Sequence, residues 1–147
     1  MKTAIRTFVA VIAALTLALI LLAGVELFVE AVYPLPQGAA ATYDEICKHV
    51  AAYPTWILVV VIPMWSGIVF GCTFLAKRIG NQTACIVVAA ILGVALMANV
   101  IMLPYELWFK VVALSTVPEA GFLGWFFSGG MRRLITPAET EPVSKTE

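Results

Sequence analysis

Four long stretches without charged side chains dominate the chain. They cover residues 7–25, 50–76, 79–105 and 111–131, and only Glu119 interrupts the last one. A helix needs roughly 20 apolar residues to cross the hydrocarbon core of a bilayer, and none of the four runs alternates as a barrel strand does. The pattern therefore predicts an all-α bundle of four transmembrane helices, with spans at about residues 5–33, 54–77, 82–103 and 104–129.

Two polar segments complete this layout. After Pro34, Pro36 and Gly38 end the first helix, Thr42 and Glu45 fit a capping box that opens a short amphipathic helix. We expect this helix to lie outside the cell, either at the membrane interface or as a cap on the bundle. Residues 134–147 are polar, and they follow the transmembrane domain of residues 1–133 as a predicted disordered cytoplasmic tail.

The composition agrees with a lipid environment. Hydrophobic residues make up 62% of the 147 and charged residues 12%, about half the charged fraction of soluble domains. The net charge is zero, so no basic field points to nucleic acid as a partner. The bilayer itself is the predicted partner, with a second copy or another membrane protein as further candidates.

The basic residues predict the orientation. Two of them, Lys48 and Lys110, lie near the span ends on one side of the predicted membrane. Six lie near the span ends on the other side: Lys2, Arg6, Lys77, Arg78, Arg132 and Arg133. Since positive charges favour the cytoplasmic side, both termini are predicted in the cytoplasm, in a bacterial inner membrane. The sequon at Asn81 would then face the cytosol and stay unused.

Glu119 is the charged side chain within the apolar run of residues 111–131. If Pro104 is the first helical residue, Glu119 lies about 22 Å along the helix, inside the hydrocarbon core. A carboxylate there costs roughly 2.5 to 3.5 kcal/mol and is expected to face the bundle interior or to carry a proton, with Ser115 and Thr116 as hydrogen-bond donors. Residues 116–119 also fit a helix start, although one helix kinked at Pro118 is the preferred interpretation.

Four further side chains near the predicted outer boundary can attract a cation. Glu26 and Glu30 are four residues apart on the first helix, and Glu45 and His49 have the same spacing on the short helix. Like charges at this spacing repel, so a proton, a lysine or a bound cation is expected between the first two. Glu26 and Glu30 therefore join Glu119 as candidates for proton or ion coupling. All four are weak candidate metal ligands, because no ligand spacing here is diagnostic, and neither a metal site nor a cofactor is predicted.

Small residues predict where helices approach closely. Gly67 and Gly71 form a GxxxG pattern in the second span, and Ala89 and Gly93 provide a matching pair in the third. Such positions allow close backbone contact in lipid, either within the chain or between copies.

The sequence offers little for catalysis. It contains one histidine and three cysteines, with no CxxC pair, no nucleophile beside a base and no phosphate-binding glycine loop. The chain is therefore predicted not to be an enzyme.

Three segments carry a resemblance to small four-helix bacterial membrane proteins of unassigned function: YPLPQG, WSGIVFGCTFLAKRIG and ANVIMLPYELWF. The resemblance implies a fold and no activity. The chain is also similar to small multidrug resistance transporters, but Glu26 lies near a helix end rather than in its middle. The first functional hypothesis is a structural or accessory membrane component, the second a small proton-coupled transporter using Glu119 or Glu26, and the third an outward-facing metal-binding protein.

Overall fold

The computed structural model describes residues 2–35 and 42–135, with side chains for residues 3–35 and 42–129, and all the regular secondary structure over these residues is helical. The five helices are α1 (Lys2–Val32), α2 (Tyr43–Ala51), α3 (Thr55–Ile79), α4 (Gln82–Met102) and α5 (Leu107–Ile135). All except α2 are long and apolar enough to cross a membrane. This confirms the predicted all-α fold with four apolar helices and indicates a multi-pass membrane protein. Residues 36–41 and the predicted tail beyond residue 135 lie outside the described residues.

The start of α5 differs from the prediction. The residues from Leu103 to Glu106 form the connection between α4 and α5, and the amide of Lys110 donates to the Glu106 carbonyl oxygen at 3.1 Å. Pro104 is therefore not the first residue of the helix, because the chain turns there before α5 begins at Leu107. The helix then runs through Pro118 without interruption, as the preferred interpretation expected, and no new helix starts at residue 116.

The short helix α2 begins where it was predicted, directly after Thr42. The Thr42 side chain makes no capping hydrogen bond, so the predicted capping box with Glu45 is not formed. Two acidic side chains in the first turn, Asp44 and Glu45, and two basic ones in the last turn, Lys48 and His49, instead match the direction of the helix dipole.

Helix α3 is the centre of the bundle. Its buried side chains recur every three or four residues from Ile57 to Ala76, and α1, α4 and α5 all pack against it. Helices α1 and α4 also contact each other, as do α4 and α5. Because these contacts surround it, α3 has the largest buried share of the four long helices.

Alanines bring α1 close to its neighbours. Ala10, Ala14 and Ala18 are spaced four residues apart and are almost completely buried. At the same contact, a Cβ on Gly80 would lie 2.6 Å from the Cβ of Ala10 and 2.9 Å from that of Ala84. Since small side chains let helix backbones approach in lipid, Ala10 allows α1 to lie against the turn between α3 and α4, and Ala14 and Ala18 continue the same buried face.

Helix α5 lies along α3 with one well-defined face. Phe109, Ala113, Val117 and Ala120 are buried at this contact, and Gly124 follows on the same face. A Cβ on Gly124 would lie 2.6 Å from the carbonyl oxygen of Phe70 in α3. The spacing of this face fixes which residues of α5 point away from the bundle.

The two ends of the bundle differ in their polar contacts. The end that carries α2, with the last turns of α1 and α4 and the first turns of α3 and α5, is called the α2 end here. At the opposite end the Arg6 guanidinium donates to the Ile79 carbonyl oxygen at 2.6 Å. Nearby, Lys77 donates to the Trp125 carbonyl oxygen at 2.7 Å and its ammonium lies 4.5 Å from the Trp125 ring centroid. These contacts join α1, α3 and α5 where the basic residues cluster.

Candidate functional site

A cavity of about 650 Å³ opens at the α2 end of the bundle. Its deep part is lined by apolar side chains from α3 and α4, among them Val61, Trp65, Ile68 and Leu92. Polar side chains line the part nearer the connections between helices. A volume of this size is typical of a small-molecule pocket, in which a few polar groups orient a largely apolar ligand.

Two carboxylates from α1 give this cavity a negative character. Glu26 and Glu30 both line it, one helical turn apart, as their spacing predicted. Among the described residues, neither lysine nor arginine lines the cavity. Because the charges that line it are of one sign, its electrostatic field favours a cation.

Helix α2 covers the mouth of this cavity through side chains rather than through backbone packing. His49 Nε2 lies 3.2 Å from the Tyr33 carbonyl oxygen at the end of α1, where it acts as the hydrogen-bond donor. Its ring stacks on that of Tyr33 with centroids 4.8 Å apart. On the other side, the Tyr43 hydroxyl donates to the Met102 carbonyl oxygen of α4 at 2.7 Å. Two polar contacts thus tie α2 to the ends of α1 and α4.

Tyrosines surround the cavity next to these carboxylates. Tyr53 meets the rings of both Tyr33 and His49 edge-on, and Tyr105 lies edge-on to Trp65. Burial, with smaller contributions from Tyr33 and Glu26, raises the pKa of the Tyr53 phenol.

The connection between α4 and α5 supplies a second half-buried phenol, that of Tyr105. Burial, followed by the proximity of Tyr53 and Glu26, raises the pKa of Tyr105 well above the ordinary value of a tyrosine. The Tyr105 hydroxyl donates to the side-chain oxygen of Asn99 at 3.3 Å, and Asn99 also lines the cavity. Aromatic faces beside carboxylates form a suitable environment for an organic cation.

The four weak metal-ligand candidates do not form a single cluster. Glu26, Glu30 and His49 line the cavity, whereas Glu45 lies on α2 and does not line it. Among the described residues, no three His, Cys, Asp or Glu side chains come together in a group that could hold a metal ion. His49 uses its Nε2 for the Tyr33 carbonyl oxygen, which is one reason why this geometry does not favour a metal.

Glu119 lies apart from the cavity and faces outward, so the first of its two expected arrangements, a carboxylate directed into the bundle interior, is not found. Its side chain is exposed on the outer surface of α5 beside Phe122 and Leu123. The cause is the α5 packing face, since Val117 and Ala120 occupy the positions toward α3.

The predicted hydrogen-bond donors to Glu119 have other partners. The hydroxyl of Ser115 donates to the Val111 carbonyl oxygen at 2.8 Å, and that of Thr116 donates to the Val112 carbonyl oxygen at 2.9 Å. Hydroxyls inside helices commonly bond the carbonyl four residues earlier, and here they do so instead of contacting the carboxylate.

The predicted close-packing glycines are not used within the chain. A Cβ added at Gly67, Gly71 or Gly93 would meet nothing within 4 Å, and Ala89 is only half-buried. Among the described residues these glycines therefore make no close contact inside the bundle, and their use between copies stays a prediction. The close contacts are made instead at Gly80 and Gly124 and by the alanines of α1.

Sequence reasoning missed most of the cavity lining. Tyr33, Tyr53, Tyr105 and Asn99 all line it, and none of them was among the candidate site residues. Their position along the chain could have indicated them, because all four lie near helix ends that meet at the α2 end, as Glu26 does.

Comparisons with protein-family models, with curated protein sequences and with solved structures found no match for this chain. The side chains of the site therefore define what it can bind.

Proposed function

We propose that this integral membrane protein binds an amphiphilic organic cation in the cavity at the α2 end. The observation that supports the proposal is the combination of an apolar interior with two carboxylates, Glu26 and Glu30, and no lysine or arginine among the described residues that line it. The hydrophobic body of such a ligand would contact Val61, Trp65 and Leu92. Its ammonium or phosphonium group would lie between the carboxylates and the tyrosines.

Elementary energetics favour this class of ligand. Burial of apolar ligand surface contributes about 25 cal/mol per Å², and a cation over an aromatic ring adds about 0.5 to 2 kcal/mol, more as water is removed. An anion would gain the first contribution but would be repelled by both carboxylates. Selectivity for positive charge is thus the property that defines the site.

We propose further that the α2 end faces the outside of a bacterial inner membrane, so that both termini and the opposite end face the cytoplasm. The clustering of Arg6, Lys77 and Arg78 at the opposite end supports this orientation. With the native cysteines replaced, Asp44→Cys should react with a membrane-impermeant maleimide in intact cells, whereas Arg78→Cys should react only after permeabilisation. The reverse labelling pattern would mean the opposite orientation.

A small proton-coupled transporter is the second candidate, and the geometry favours Glu26 over Glu119 for the coupling role. Glu26 lines the cavity, where a proton and a cationic ligand would compete for one carboxylate, whereas Glu119 lies outside it. Such competition is a simple basis for exchange of a cation against protons. The structural or accessory role requires a surface for another protein, and the exposed outer face of α5 offers one.

Ligand binding is tested with tetraphenylphosphonium, a lipophilic cation, by equilibrium dialysis of the full chain in lipid nanodiscs. We expect Glu26→Gln and Glu30→Gln each to weaken binding roughly fivefold, which corresponds to about 1 kcal/mol per carboxylate at a partly exposed position. Glu106→Gln is the matched control, because Glu106 lies on the neighbouring α4–α5 connection and does not line the cavity.

Two outcomes would contradict the proposal. In the first, a neutral aryl compound of similar size, triphenylphosphine oxide, binds as tightly as the cation. In the second, both cavity variants retain the affinity of the unchanged protein. If binding depends on the carboxylates but reconstituted vesicles show no movement of the cation against a proton gradient, the protein is a binding protein rather than a transporter.

A further inference from the structure

The outer surface of α5 carries a carboxylate in the middle of an apolar helix. Glu119 lies 12 residues after Leu107, about 18 Å along the helix at 1.5 Å per residue, and ten residues before Gly129, where the membrane-length segment ends. Around it the exposed side chains Phe122 and Leu123 form a shallow depression with Pro118. We call Ser115, Pro118, Glu119, Phe122 and Leu123 together the Glu119 face.

This face has two hydrogen-bond acceptors that α5 itself does not supply with donors. Among the described residues, no side chain donates to the Glu119 carboxylate, since Ser115 and Thr116 bond backbone carbonyls of α5. Pro118 has no N–H, so the carbonyl oxygen of Leu114, four residues earlier, lacks the usual helical donor. In hydrocarbon, polar groups of this kind are costly without a partner.

The basic side chains that the structure describes lie at other depths. Lys110 is nine residues before Glu119 on α5, about 13 Å along the axis. Lys77 donates to the Trp125 carbonyl oxygen, at a level six residues beyond Glu119, about 9 Å away. A second copy in the same orientation would therefore bring Glu119 opposite another carboxylate or apolar residues, but not opposite these ammonium groups.

We propose that the Glu119 face is the docking surface for a transmembrane helix of another protein that carries a lysine or arginine at the same depth. A basic side chain supplies several donors at once, for both the carboxylate and the Leu114 carbonyl oxygen, which Pro118 cannot supply with an N–H, and its charge is complementary. Phe122 and Leu123 would pack along the partner helix on the cytoplasm-proximal side of this ion pair. An accessory protein would then have a defined partner, a transmembrane helix with a basic side chain. This docking does not depend on ligand binding in the α2-end cavity.

The test uses synthetic host helices of leucine and alanine that differ only in the central residue, lysine or leucine, and carry a dansyl group. The full-length protein is reconstituted with each host helix in phosphatidylcholine vesicles, and association is measured as energy transfer from the tryptophans of the protein. We expect the lysine helix to associate about tenfold more tightly than the leucine helix, because polar contacts between helices in lipid contribute about 1 to 2 kcal/mol.

Variants of Glu119 separate ion pairing from nonspecific hydrophobic association. Glu119→Gln should reduce the preference for the lysine helix to near the leucine level, and Glu119→Lys should instead prefer a host helix with a central glutamate. Glu106→Gln, outside the span, should behave as the unchanged protein. The helicity and unfolding midpoint of each variant are measured in the same vesicles, so that loss of folding is distinguished from loss of docking.

Three results would overturn the inference. The lysine and leucine helices bind equally well, Glu119→Gln leaves the preference intact, or the protein associates with itself through Glu119 when no host helix is present. Self-association through Glu119 is read, with the native cysteines replaced, from disulfide formation between copies of the Leu123→Cys variant that is lost when Glu119→Gln is added. Any of these three results would leave the cavity proposal unaffected, because Glu119 takes no part in phosphonium binding.

Discussion

Gly124→Ala tests the contact that sets the rotation of α5 about its own axis. The added Cβ would lie 2.6 Å from the Phe70 carbonyl oxygen and would also contact the Thr73 hydroxyl, which already donates to the Val69 carbonyl oxygen at 2.7 Å. An ordinary carbon–oxygen contact is about 3.3 Å, so α3 and α5 must separate locally by about 0.7 Å. Overpacking of this kind costs about 1 to 3 kcal/mol.

The matched control is Gly67→Ala, also inside a membrane-length helix. A Cβ at Gly67 meets nothing within 4 Å, so this variant has the intrinsic helix preference of alanine, up to about 1 kcal/mol, without the clash. Since Gly124→Ala gains the same preference, the difference between the two variants isolates the contact. We expect Gly124→Ala to be about 1 to 3 kcal/mol less stable than Gly67→Ala, measured as the free energy of unfolding by SDS titration in mixed micelles.

Equal stabilities within about 0.4 kcal/mol would refute this reasoning. In that case Gly124 would not lie against Phe70, and the rotation of α5 that points Glu119 away from the bundle would lose its support. If the difference in unfolding free energy is smaller than expected because the α3–α5 contact has rearranged, the near-ultraviolet circular dichroism of the aromatic residues should be partly lost.

Three other residues give further predictions. Asn81 caps α4 by accepting from the amide of Ala84 at 2.9 Å and donates to the Thr7 hydroxyl at 2.7 Å; Asn81→Ala should therefore cost about 1 to 2 kcal/mol of unfolding free energy, and Asn81→Asp, which retains the cap, should cost less. Lys77→Met should lower the free energy of unfolding by about 1 to 3 kcal/mol, because the charged hydrogen bond and the cation–π contact of Lys77 with Trp125 are lost. An equal loss of stability in the control Arg78→Met would mean that surface charge, and not the contact with Trp125, causes the effect. Burial raises the pKa of Tyr105, so its neutral form is favoured in the folded state; this stability is fully present below the unfolded pKa of about 10 and is lost as pH rises through the folded pKa. Tyr105→Phe should remove the last component of a spectrophotometric tyrosine titration, and an unchanged titration would contradict the burial of this phenol.

The proposed site and the proposed docking surface assign different roles to carboxylates at different depths. Glu26 and Glu30 lie near a helix end and line a cavity shared by several elements, where a small cation can approach. Glu119 lies in the middle of a span on an outer surface, where only lipid or another helix can reach it. The two assays therefore probe separate surfaces of one bundle.

The sequence by itself determined the helices and their approximate lengths. Uncharged runs of about 20 residues have few alternatives in lipid, because every backbone polar group must be paired within the helix or a closed barrel. The local sequence also placed the short helix after Thr42. The length that a span requires favoured one continuous α5 through Pro118, although residues 116–119 locally fit a helix start. Boundary errors of a few residues, as at Pro104, arise because a proline fits both a helix start and the loop before it.

Only the tertiary structure decided which face of each helix is buried. In water an apolar stripe marks the buried face, but in a bilayer the lipid-facing surface is as apolar as the interior, so hydrophobicity does not distinguish Val117 from Phe122. The same ambiguity made the glycines of α3 look like a packing stripe, while the alanines of α1 make the contact. The cavity depended most on the tertiary structure, because its carboxylates, tyrosines and apolar wall come from different helices and meet only when the helix ends assemble around α3.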